Sequence, residues 1–390
     1  MSSIYQQFGL TPIINARGTH TRLGGWIMEP EVVDAMRAAA TDYIVLDELQ
    51  ETASELISRA TGAEAGMVTG GAAAGLLLAT AACLTQGDPG RIEQLPDATG
   101  FPNEVVMFRA HRNGYDHSVR AAGATIVEAG YGHGSLEYQL EAAIGPETAM
   151  LAYVMAPWAA RGALTLKRTC EIAHRQGVPV LVDGAATLPP STNLTRFIED
   201  GADLVAFSGG KGIGGPQSSG ILAGKRDLIA AACKNGSPHH SIGRPGKAAK
   251  EDIIGLMVAL ERYLQRDHQA DWERWDRQAR YLVAQLGDFP GIDVAYLYDP
   301  PEYQTPRVEL TFDEAETGIS APRLIEDLEN REPRIFLLDW NGPSARPNSA
   351  MINTHTMRPG DEQILAEALG EEFRTRLTER QPDLSAARAL

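Results

Sequence analysis

The stretch Ala202-Asp203-Leu204-Val205-Ala206-Phe207-Ser208-Gly209-Gly210-Lys211-Gly212-Ile213-Gly214-Gly215-Pro216-Gln217 decides the reading of this chain. An apolar run of the kind buried in a parallel sheet stops at a serine, two glycines and one lysine. Such a strand end offers a single amine in a loop whose backbone can approach a ligand closely, as a Schiff-base lysine requires. The plainer reading is a surface lysine in a flexible turn. A nucleotide P-loop is excluded, because Val205 holds the first glycine position and Gly212, not Ser or Thr, follows the lysine. Gly130, Gly132 and Gly134 do not complete a dinucleotide fingerprint either.

A second apolar run, Val178-Pro179-Val180-Leu181-Val182-Asp183-Gly184-Ala185-Ala186, ends in one carboxylate followed by small residues. Acids at the carboxyl ends of parallel strands sit where ligands of open α/β sheets collect, although Asp183 could also simply cap a following helix. Asp183 with Lys211 is the pair that pyridoxal 5'-phosphate needs: an amine for the cofactor aldehyde and a carboxylate that keeps the ring nitrogen protonated. Val68-Thr69-Gly70-Gly71-Ala72-Ala73-Ala74-Gly75-Leu76 adds a glycine pair before an alanine-rich helix. A helix start without bulky side chains exposes backbone N–H groups to an anion, so Gly70, Gly71 and Ala72 read as a phosphate cup; small residues there can also serve close packing. Ser208 could donate its hydroxyl to the same phosphate.

These motifs resemble those of pyridoxal-phosphate enzymes of the aspartate-aminotransferase fold, fold type I, and within it the branch of selenocysteine synthase and D-glucosaminate-6-phosphate ammonia-lyase. Pro12 to Thr19, Val68 to Ala74, Ala110-His111-Arg112-Asn113-Gly114-Tyr115-Asp116-His117, Val182 to Ala186, and Phe207 to Gln217 carry the resemblance in order along the chain. It implies that Lys211 carries the cofactor, that Asp183 holds the ring nitrogen, and that Gly71, Ala72 and Ser208 contact the phosphate. It further implies a stacking aromatic on the ring, for which His111 and His117 compete. A homodimer at least is implied as well.

Composition agrees with this class. The chain has 390 residues with 43% hydrophobic content, enough for two cores. The start lacks a basic region followed by an apolar core, and no apolar run spans a bilayer, so a cytoplasmic protein without membrane contact is expected. Cys83, Cys170 and Cys233 read as buried free thiols, with no metal spacing among them or at His239 and His240. The formal charge of −16 argues against nucleic acid as a partner. Bacterial selenocysteine synthases resemble the chain but carry an added N-terminal tRNA-binding domain for which the early Ile13-Ile14-Asn15 leaves no room, so a small amino acid substrate is expected.

The order of patterns predicts an N-terminal arm (1–25), a large cofactor-binding domain (26–264) and a smaller C-terminal α/β domain (265–390). The large domain is read as a seven-stranded, mostly parallel sheet near 65–68, 104–108, 125–128, 149–154, 178–182, 204–208 and 219–222. A long helix near 251–266 leads into the small domain, with strands near 292–297, 307–311 and 334–338. The segment 87–103 reads as a surface excursion. The expected reaction is removal of the α-proton by Lys211 and β-elimination from a β-hydroxy or sugar-derived amino acid, giving a 2-keto acid and ammonia. Other carbanion chemistry (racemase, aldolase, aminotransferase) and a selenocysteine synthase-like transferase are the alternatives. Thr19, Arg22, Arg244 and Arg358 are the candidate substrate contacts, the arginines because a guanidinium grips a carboxylate or phosphate with paired hydrogen bonds. Gly246 departs from the relatives' pattern of a bulkier residue, which puts phosphate recognition by that segment in doubt.

Overall fold

A computed structural model describes residues 3–160, 162–299, 303–339 and 346–380. Strands are numbered along the chain from β1 (Ile14–Ala16). The next seven are β2 (Ala65–Thr69), β3 (Glu104–Phe108), β4 (Thr125–Ala129), β5 (Thr148–Val154), β6 (Val180–Asp183), β7 (Leu204–Ser208) and β8 (Gly220–Gly224). They form one sheet in the order β2-β8-β7-β6-β5-β3-β4. Only β8 runs against its neighbours. Thr69, Phe108, Val154, Asp183 and Ser208 therefore end their strands along a single edge, which is the edge where open α/β sheets hold ligands.

Alternation of side chains along each strand splits the core in two. Val105, Met107, Ala152, Val154, Leu181, Leu204 and Ala206 pack with the helix Ala72–Thr85 on one face. Val106, Phe108, Leu151, Tyr153, Val182, Val205 and Phe207 pack on the other with residues of the helices Leu46–Thr61, Leu166–Arg175 and Lys250–Gln265. The helix Ala72–Thr85 is small and apolar nearly all round, which lets it lie close on the sheet and direct its N-terminus at the strand ends. Leu151 is fully enclosed; truncating it to alanine would remove about 2–5 kcal/mol of packing.

The strands begin and end close to the sequence expectation. The segment 87–103 differs from it. Asp88 caps a helix, Pro89–Gln94, by accepting the Arg91 N–H at 2.9 Å, and Leu95, Ala98 and Phe101 are buried in the core under the helix Ala72–Thr85. Its polar and proline-rich composition concealed three apolar anchors. Cys83 and Cys170 are buried and Cys233 is half-buried, all three as free thiols; burial pushes Cys83 and Cys170 up to about 12 and Cys233 up to about 11.

Residues 24–266 form the larger compact unit, and residues 1–23 group with 267–390 in the smaller one. The first residues are thus integrated rather than a separate arm to residue 25. Strand β1 pairs in parallel with β11 (Ile335–Leu337), Ile14 opposite Ile335. Asn353 Nδ2 donates to the Arg17 carbonyl at 2.8 Å. Beside this pair, β9 (Ile292–Asp299), β10 (Tyr303–Phe312) and β12 (Ser349–Asn353) make an antiparallel sheet in the order β12-β10-β9. Leu282, Val308, Leu310, Leu324 and Phe373 are among the buried residues of this unit's core. The strand β12 had no sequence signal beyond a five-residue run, too short to separate from a turn.

Candidate active site

Lys211 lies in a kinked five-residue turn, Gly209–Ile213, directly after β7. Its own backbone departs from helical geometry, at φ −114° and ψ −132°. The glycines on either side serve close approach: a Cβ on Gly210 would lie 2.4 Å from Gln217 Cα, and one on Gly212 would lie 2.3 Å from the Leu188 carbonyl oxygen. The Gly214 N–H closes the turn on the Lys211 carbonyl at 2.8 Å. The result is a held turn, not the flexible one that a glycine-rich segment also allows. Burial lowers the Lys211 ammonium below its ordinary range, and the Asp183 charge opposes this.

Asp183 ends β6, the strand beside β7, and accepts the Ala185 N–H at 3.1 Å. Burial raises its carboxyl, against the lowering effects of that N–H and of the Lys211 charge. No helix starts at Asp183: the next one is Asn193–Glu199, so the helix-cap alternative falls away. A cavity beside it is lined by Leu76, Asn113, Tyr115, Asp116, Val154 and Asp183 among others. Asn113 and Tyr115 stand in the motif that carries His111, and sequence reasoning passed over them in favour of the two histidines. Their signal was a polar side chain and an aromatic two residues apart in a loop after a strand end.

At Gly70-Gly71-Ala72 the chain turns into the helix Ala72–Thr85. Gly71 is the N-cap of Ala72–Thr85, has φ +97°, and caps nothing with a side chain, so the first-turn N–H groups depend on an outside acceptor. A Cβ on Gly71 would meet open space, whereas one on Gly70 would fall 2.4 Å from the Gly246 carbonyl oxygen. Gly246 also lies against Ala74, where its own Cβ would be 3.1 Å from the Ala74 methyl. The segment Arg244–Gly246, a short 3-10 turn, is therefore seated on the cup, with Arg244 half-buried. A residue bulkier than Gly246 would crowd Ala74. Ser208 is half-buried at the end of β7, next to the lysine turn.

The histidines depart from the expectation of a stacking ring. His111 is 0% exposed, with the edges of Phe108 and Tyr153 at 5.2 and 4.5 Å between ring centroids. Its Nδ1 accepts the Val154 N–H at 3.1 Å, while its buried Nε2 lacks a hydrogen-bond partner. Burial drives its pKa down to about 4, so the ring is neutral. Phe108 and Tyr153 belong to the sheet face opposite the helix Ala72–Thr85, and the ring offers no accessible face for a ligand. His117 is exposed and its Nδ1 contacts Arg120 Nη2 at 3.0 Å. Thr19, Arg22 and Arg358 belong to the smaller unit. Thr19 is half-buried and Arg22 exposed there. The Arg358 main chain is fixed, its N–H donating to Asp361 and its carbonyl accepting from Gln278, while its side chain is exposed. Among the described residues, no group of three or more His, Cys, Asp or Glu side chains could hold a metal ion.

Comparison with known proteins fits this geometry. A family model described as L-seryl-tRNA selenium transferase matches residues 115–272. A D-glucosaminate-6-phosphate ammonia lyase of Salmonella typhimurium is 34% identical over 339 residues, 86% of this chain and 89% of the relative. A 5'-C-glycyluridine monooxygenase-decarboxylase of a Streptomyces species is 33% identical over 375 residues, 94% of this chain and 91% of the relative. A solved structure of D-glucosaminate-6-phosphate ammonia-lyase superposes with a TM-score of 0.82 at 31% identity, covering 96% of this chain and 99% of that one. With its lysine turn, strand-end carboxylate and glycine cup set on that fold, the chain belongs to the selenocysteine synthase and D-glucosaminate-6-phosphate ammonia-lyase branch of the fold type I pyridoxal-phosphate enzymes.

Proposed function

We propose that this chain is a pyridoxal 5'-phosphate-dependent ammonia-lyase that eliminates the β-hydroxyl of a β-hydroxy or sugar-derived amino acid as water, the resulting enamine taking up water to give a 2-keto acid and ammonia. The observation that carries the reading is the placement of Lys211 and Asp183, both half-buried and each acting on the other's charge, at the ends of adjacent strands. The residues present fit the cofactor. An uncapped helix start with open space over Gly71 suits its phosphate, and a half-buried carboxylate at a strand end suits a protonated ring nitrogen.

When bound, pyridoxal phosphate supplies an aldehyde for an amine and a ring that accepts electrons from the substrate α-carbon. Burial keeps more of Lys211 as free amine than an exposed lysine would have, so its Nζ would be the group that holds the cofactor and that accepts the substrate α-proton. Asp183 would be the counter-charge to a protonated ring nitrogen. With the cofactor as electron acceptor, loss of the β-hydroxyl as water and addition of water to the resulting enamine would give keto acid and ammonia. Gly70, Gly71, Ala72 and Ser208 are the phosphate contacts in this reading. Asn113 and Tyr115 line the cavity beside Asp183. His111 holds the end of β5 through Val154. Arg244 lies in the segment seated on the cup and is available to a second, substrate phosphate; Thr19, Arg22 and Arg358 stay candidate substrate contacts on sequence grounds. A cytoplasmic homodimer is proposed with this reading. Among the described residues, no helix is long and apolar enough to cross a membrane.

The nearly equal identity to a monooxygenase-decarboxylase supports a second reading, oxidative loss of the substrate carboxylate from the same site. Incubation of loaded enzyme with D-glucosaminate 6-phosphate distinguishes them. Stoichiometric ammonia and keto acid without oxygen uptake supports the lyase; inertness there, together with oxygen uptake and carbon dioxide release from 5'-C-glycyluridine, overturns it. Retention of seryl-tRNA at physiological salt would favour the transferase alternative, against which the net charge of −16 argues.

A further inference from the structure

Two segments far apart in sequence hold the carbonyls on either side of Lys211. The Trp26 N–H donates to the Gly210 carbonyl at 3.0 Å, and Arg266 Nη1 donates to the Gly212 carbonyl at 3.3 Å. Gly25, at φ +74°, lies so close that a Cβ there would meet the Gly210 oxygen at 2.6 Å. Arg266 is itself held. Its Nη2 pairs with Glu29 Oε1 at 2.8 Å, its guanidinium lies 5.4 Å from the Tyr263 ring centroid, and the other Glu29 oxygen binds Arg262. The Arg266 side chain is only 16% exposed, so the contact is enclosed rather than a loose surface pair.

These contacts coincide with the chain's two passages between its compact units. The larger unit begins at Gly24 and ends at Arg266. Resting on the cofactor reading above, we propose that Glu29 and Arg266 are positioning residues which, with Trp26, clamp the Lys211 turn and tie both inter-unit passages to it. The clamp fixes the carbonyls on both sides of Lys211 from outside the turn's own hydrogen bonds. Neither side chain touches the reacting atoms. Their effect is on where Nζ is held, and a small displacement of a reacting group costs much in rate.

The test uses full-length protein loaded with pyridoxal phosphate and compares the parent with Arg266→Met and Glu29→Gln. Borohydride linkage at Lys211 measures loading, visible circular dichroism reports the geometry of the bound chromophore, and hydroxylamine measures how fast the cofactor is displaced from the lysine. Both variants are expected to load, with a weakened visible dichroic band and displacement faster by roughly tenfold in Arg266→Met and less in Glu29→Gln. Glu31→Gln, which removes only an outer contact to Arg262, is expected to match the parent. Should Arg266→Met fail to fold, Glu29→Gln decides alone. A parent that borohydride cannot link at Lys211 overturns the cofactor reading, and the clamp with it. Normal linkage with parental dichroism and displacement in the variants overturns the clamp alone.

Discussion

Asp183 ends β6 and Asp203 immediately precedes β7, so the two carboxylates, half-buried and buried in turn, sit at opposite ends of adjacent strands and in opposite states of satisfaction. Asp203, just before β7, is 2% exposed and binds Lys225 Nζ at 2.6 Å, His174 Nε2 at 2.7 Å and the Val180 N–H at 2.7 Å. Asp183, at the far end of β6, accepts one hydrogen bond among the described residues, and burial raises its carboxyl. A carboxylate with every acceptor filled locks strand starts together. One left short of donors is costly to keep charged, and is retained where a cationic partner arrives from outside.

The largest break in this comparison is removal of the cationic side of the site. Lys211→Ala is expected to abolish borohydride linkage and to lower turnover by about 10⁴-fold or more, read by coupled assay of keto acid. Next, Asp203→Ala strips three partners of their acceptor and is expected to cost about 3 kcal/mol in denaturant unfolding, while remaining dichroism and loading stay near parental. An unchanged midpoint would remove the distinction between lock and site.

Asp183→Asn reverses that pattern. Turnover is expected to fall about 100-fold, as the ring nitrogen loses its counter-charge, while the cofactor-free protein becomes more stable. Because the folded carboxyl lies above its ordinary 3.8, the folded chain binds a proton there more readily than the unfolded chain. Stability is therefore lost as pH climbs from the ordinary carboxyl range through the raised value, and asparagine escapes that loss. The variant should melt with the parent in acid below that range and above it at neutral pH; a lower melting temperature at neutral pH would mean that Asp183 is satisfied after all. Smallest in effect, Gly71→Ala forces a methyl onto a φ of +97° and is expected to weaken pyridoxal phosphate by about 2 kcal/mol, measured by equilibrium dialysis. Unaltered affinity would argue that the helix start is not the phosphate cup.

Much of this was legible in order of residues. Continuous apolar runs closed by Asp183 and Ser208 marked buried parallel strands, because a strand covered on both faces has no polar positions. The glycines near Lys211 announced a backbone that something approaches closely. His111 misled, since a histidine after a strand looks the same in sequence whether its ring faces a ligand or packs between Phe108 and Tyr153. Asp203 drew no notice, because Lys225 and His174 are 22 and 29 positions away along the chain and meet it only when β6, β7 and β8 align.

Local chemistry along the chain thus determined the strand ends, and the lysine, acid and glycines proposed to hold the cofactor, since each depends on a few consecutive residues and on strand period. Tertiary structure alone decided which carboxylate is filled, which histidine is enclosed, that residues 1–23 join the C-terminal unit, and that Trp26 and Arg266 grip the carbonyls beside Lys211. Those outcomes rest on partners brought together from distant parts of the chain, and no pattern in neighbouring residues encodes such encounters.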